Sequence, residues 1–187
     1  MAITRRLPNL VPKVELFGDW DKTHRAFVNL PTAIALGSKL GKDAALRQLE
    51  KNIKQNIRAN GGSLGWKELS KRTLANKRDS KYPTSILRMT GLYYRSIMIW
   101  SDTITGATYL GIKPRTYYPT KGASGLTVNQ VAKVLENGSP DRNIPARPLW
   151  KPTFKQFGGG ARVKGYIIWH VRNQIMIQCG VRAKVTF

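Results

Sequence analysis

Acidic residues are scarce in this chain: 10 Asp and Glu stand against 32 Lys and Arg in 187 residues, for a formal charge of +22. The few carboxylates are scattered, and only two histidines, His24 and His170, are present, far apart in sequence. Zinc and two-metal centres need several Asp, Glu, His or Cys ligands converging at fixed spacing, and no such group stands out here. Catalytic, metal and cofactor-binding residues are therefore expected to be none, and Ser70 and Ser96 have no neighbouring base to activate them. Cys179 is the single cysteine, which excludes an internal disulfide and suits a reducing compartment. No apolar run approaches the roughly 20 residues needed to cross a bilayer. Pro8 and Pro12 interrupt the stretch after the basic N-terminus, so no signal-peptide core is expected.

What is present is a hydrophobic fraction of 41%, enough for one core with extensions. The positive charge is uneven. From Arg142 onward come nine basic residues, including Arg162, Lys164, Arg172, Arg182 and Lys184, and no acid. That end either stays solvated or faces DNA or an acidic neighbour. Gly158-Gly159-Gly160 opens a stretch that lacks the Gly-Lys-Ser/Thr order of a phosphate loop, and a hinge is the better expectation.

Local patterning divides the chain into an N-terminal arm (1–30), a core (31–157) and a basic C-terminal extension (158–187). A helical pattern over 31–59 has Pro31 in its first turn, carries Leu46, Leu49, Ile53 and Ile57 on one face and stops at Asn60-Gly61-Gly62. Gly37 and Gly41 leave open one kinked helix or two, with Asp43 a candidate cap for the second. The basic stretch 61–83 reads as a loop with Trp66 as its aromatic anchor, capping the core or stacking on a base, while the lysines and arginines around it stay in solvent. A short helix is expected over 85–97, with Thr90-Gly91 at a tight approach. Two strands follow at 97–100 and 107–112, and then a helix from Thr127 to Asn137-Gly138. For 163–187, β-branching suits a strand while Ile168, Val171 and Ile175 suit a helix.

The most informative stretch is Ile144-Pro145-Ala146-Arg147-Pro148-Leu149-Trp150. Two prolines fix φ on either side of an arginine, making a rigid extended corner after a capped helix. Such a corner holds a planar guanidinium in one place, as a structural pin or as a contact for a partner.

Upstream of the corner lie Trp66 with Leu69-Ser70, Thr73 and Lys77, Ile86-Leu87, Thr90-Gly91-Leu92 with Ser96-Ile97, and Glu136-Asn137-Gly138. This ordered series resembles the virion-morphogenesis or tail-completion proteins of tailed bacteriophages, over roughly 46–150. After Trp150 the likeness fades, because the family continues in a polar, charged helix where this chain is apolar. The resemblance implies an α+β fold: a small, mostly antiparallel sheet packed with a long N-terminal helix and short helices, with extended terminal arms. It also implies a non-enzymatic neck subunit of the virion, assembled in the host cytoplasm. Copies would form a homo-oligomeric ring, six-fold by resemblance, between a head-side connector or adaptor and a tail terminator or tail-tube protein. Packaged DNA would be at most a transient contact, and no membrane is involved. Trp66, Leu69, Thr90, Gly91, Gly138, Ile144, Pro145, Arg147, Pro148 and Trp150 are the fold or interface candidates. Composition alone supports another class, a sequence-independent nucleic-acid-binding protein.

Overall fold

The structure, a computed structural model, describes residues 19–87, 91–113 and 127–180. It is an α+β fold in which a long helix, α1 (Trp20–Arg58), packs against much of the rest of the described chain. Helix α2 (Lys71–Asp79), helix α3 (Leu92–Ser96), strands β1 (Ile97–Ser101) and β2 (Thr108–Ile112), and helices α4 (Val128–Asn137), α5 (Trp150–Phe157) and α6 (Gly159–Cys179) follow in chain order. Among the described residues, no helix is long and apolar enough to cross a membrane.

Helix α1 begins inside the segment expected as an arm and runs without a break past Gly37 and Gly41. Asp19 caps its start by accepting from the Lys22 amide at 3.0 Å. Pro31 lies inside the helix, not in its first turn. The two glycines belong to a buried stripe, Ala33, Gly37, Gly41 and Ala45, with one member every four residues. Helix α6 lies along this stripe and forms the largest interface in the molecule. A Cβ on Gly41 would sit 2.5 Å from Ile167 Cα, and one on Gly37 would collide with the backbone of Val171. Both positions therefore need glycine for reasons of space.

Residues 159–179 thus fold back on the core as a helix, where an extension was expected, and the choice between helix and strand there falls to helix. Gly158 closes α5 and opens α6 at φ +99. Gly159, at φ +58, is the first residue of α6 and Gly160 follows within it, so the expected hinge is a tight helix–helix corner.

The other half of α1 carries the main core. Ile53 and Ile57, both essentially inaccessible, meet Trp66, Tyr93, Ile97, Ile112, Val128 and Leu149 there, with Leu49 packed against them. Strands β1 and β2 form an antiparallel hairpin pairing Ile97 with Ile112 and Ser101 with Thr108, close to the predicted ranges. Asp102 shapes the turn by accepting from the Ile104 amide at 2.8 Å. Helix α4 starts on a capping box between Thr127 and Gln130. The helix expected over 85–97 is reduced to α3, since Leu87 takes φ +59 and Gly91 φ +72. The φ of +72 at Gly91 favours glycine, and among the described residues a Cβ there would meet only Arg95 Cζ, at 3.9 Å.

Candidate functional site

The proline corner is tied to α4 before it reaches α5. After α4, Ser139 and Ile144 exchange backbone hydrogen bonds of 2.8 and 2.9 Å, closing a small loop around Pro140–Arg142. Gly138, at φ +77, lies so close to the returning chain that a Cβ there would be 2.8 Å from the Ala146 amide nitrogen. The Arg147 amide then donates to the Leu135 carbonyl at 2.7 Å, satisfying an end of α4 that would otherwise be open. Glu136 accepts from the Leu149 amide at 2.8 Å. The indole Nε1–H of Trp66 donates to the Pro148 carbonyl at 2.8 Å. Trp66 is buried, with its ring against Gly61, so it caps the core and is not presented for stacking on a base.

Arg147 is 6% exposed. Its Nη2 donates to the Lys67 carbonyl at 3.3 Å, and its Nε has no hydrogen-bond partner. Lys77, on α2, is 5% exposed and donates to the carbonyls of Ser85 at 2.7 Å and Pro83 at 3.2 Å. Burial pushes the pKa of each below its ordinary range, and for Lys77 the charge of Arg147 adds to the effect. Neither cation forms an ion pair with a described carboxylate.

Both cations line one cavity of about 1030 Å³. Leu69, Ile86, Tyr93, Val131, Leu135 and Ile144 give it apolar walls. Among the sequence candidates, Leu69, Gly91, Gly138, Ile144, Pro145 and Arg147 line this space. Trp66 and Pro148 are joined to each other by the indole bond, and Trp150 packs against the core at the start of α5. Thr90, Arg182 and Lys184 lie outside the described residues. Arg162 and Lys164 are exposed on α6, and Arg172 is half-buried there, all on the far side of the corner in sequence.

Lys77 is the residue that sequence reasoning placed wrongly: it was expected in solvent, within a loop. The stretch 71–79 is a helix, started by Ser70, whose hydroxyl accepts from the Thr73 amide at 3.2 Å. The Ser70-to-Thr73 spacing was the available signal for that helix. Among the described residues, no group of three or more His, Cys, Asp and Glu is placed to hold a metal ion.

Compared with known proteins, the chain matches no family model, no curated protein and no solved structure.

Proposed function

We propose that this chain is a structural subunit of a tailed-phage virion, a neck or tail-completion protein that joins head to tail as a ring of identical copies. The observation that carries the reading is the convergence of the motif. Trp66, Leu69, Gly91, Gly138 and the stretch 144–150, scattered over more than half the pattern, meet in one unit built around the proline corner. A series of residues that builds one shared unit is harder to obtain by chance than the same residues spread over a fold.

The surface is consistent with assembly. The α1–α6 pair exposes Phe27 at 69%, Val28 at 61%, Trp169 at 55% and Ile177 at 73%. Apolar groups of this size, gathered on two packed helices, favour burial against another subunit. In this reading one face meets the head-side connector and the other receives the tail, and no substrate is turned over. The charge of +22 serves acidic partner surfaces more than DNA, since a channel that gripped DNA would oppose its ejection.

Light scattering on the purified chain, with and without duplex DNA, tests the proposal. Discrete oligomers that form without DNA support it. A monomer that binds any duplex, with affinity falling steeply as salt rises, replaces it with the nucleic-acid-binding reading.

A further inference from the structure

Arg147 and Lys77 are buried cations facing one apolar cavity, and neither has a carboxylate partner among the described residues. Burying a positive charge is costly unless it is paired. The corner holds Arg147 rigidly between two prolines, and its Nε–H stays unused. Lys77 is held by two backbone carbonyls, which orient the ammonium without neutralising it. Glu68 also lines the cavity but is exposed and pairs with neither. A carboxylate entering this space would offset the charge of both cations at short range.

We propose that this cavity is a docking pocket for an extended segment of another protein that carries one Asp or Glu between apolar residues. The volume of about 1030 Å³ holds several side chains, so the ligand is larger than a single acid. Leu69, Ile86, Leu87, Val131 and Leu135 supply apolar walls for the flanking residues, and the cations select the acid. Charge complementarity points to an acid set among apolar residues; Val14-Glu15-Leu16-Phe17 of this chain has that pattern too, and a peptide of that sequence binding as tightly as the selected one would replace the other protein with a second copy. The pocket stands on its own geometry and does not depend on the virion reading. An oligomer without peptide binding, or peptide binding by a monomer, would separate the two.

The test is selection of binders to the full chain from a random dodecapeptide library, followed by NMR of the Arg147 Nε–H signal, assigned by through-bond correlation. The expected consensus is a single Asp or Glu with apolar residues on both sides. The selected peptide should move the Arg147 Nε–H signal, and the same peptide with Gln in place of Glu should not. Arg147→Lys, which keeps the charge and loses the planar fork, should weaken binding by about tenfold. The inference is overturned if no consensus emerges, if binding scales only with the number of acids, or if the Gln peptide moves the signal equally. It is also overturned if duplex DNA moves the signal and the peptide does not. The wild-type NMR measurement decides the matter even if a variant fails to fold.

Discussion

The indole of Trp66 and the carbonyl of Pro148 are joined at 2.8 Å across 82 positions of sequence. This bond clamps the end of the proline corner to the segment that follows α1. The same corner is held from the other side by Leu135 and Glu136 of α4. Arg147 is therefore positioned by its backbone, while its buried guanidinium donates to the Lys67 carbonyl through Nη2 and leaves Nε unpaired.

Trp66→Phe keeps most of the buried ring and removes the donor, leaving the Pro148 carbonyl without that partner. The expected loss is about 1–3 kcal/mol of unfolding free energy. Chemical denaturation checks it, and an unchanged midpoint would mean that water replaces the indole.

Arg147→Met should leave the fold intact and raise its stability by about 1–3 kcal/mol, because it removes a buried charge with an unsatisfied Nε. The long bond to Lys67 lost in exchange is the weaker contribution. A melting temperature below that of wild type would show that the guanidinium is paired in solution.

Lys77 gives a pH dependence of defined sign. Its folded-state pKa lies below its unfolded one. Between those two values the unfolded chain binds the proton and the native chain does not, so native stability rises with pH there. The burial penalty is full below the folded pKa and is relieved as pH climbs towards the ordinary lysine value of about 10.4. Denaturation of wild type and Lys77→Met at a series of alkaline pH values should therefore show the wild type gaining on the variant as pH rises. A constant difference would contradict the burial of the ammonium.

Glycines in the two long helices should respond in opposite directions. Gly41→Ala places a methyl against the backbone of Ile167 and should cost about 1–3 kcal/mol by forcing α1 and α6 apart. Gly165→Ala, in α6 with nothing within 4 Å of the added carbon, should stabilise by about 0.5–1 kcal/mol. Thermal unfolding of the two variants checks both signs together.

Local signals made much of the core legible. The stop at Asn60-Gly61 and the hairpin of β1 and β2 depend on turn chemistry and alternation, and α4 on its capping box and apolar face, all within short windows. Helices α1 and α6 were harder because their shared interface decides them. Gly37 and Gly41 look like breakers alone, and become contact points only when the spacing of Ala33, Gly37, Gly41 and Ala45 is read as one stripe. The β-branched residues of α6 are helical because that helix packs along the stripe. The corner was visible as a site, while the burial of Lys77 was not. A lysine on a polar helix carries no sequence mark of the cavity it faces, since residues from three separate stretches, 67–77, 86–93 and 131–147, build that cavity.

Imaging tailed particles whose copy of the protein carries a gold-labelled tag shows whether this chain is a building block of the virion neck, as proposed. Label confined to the junction between head and tail in mature particles is the expected result. Mature particles without the protein, or label spread through the packaged DNA, would contradict it.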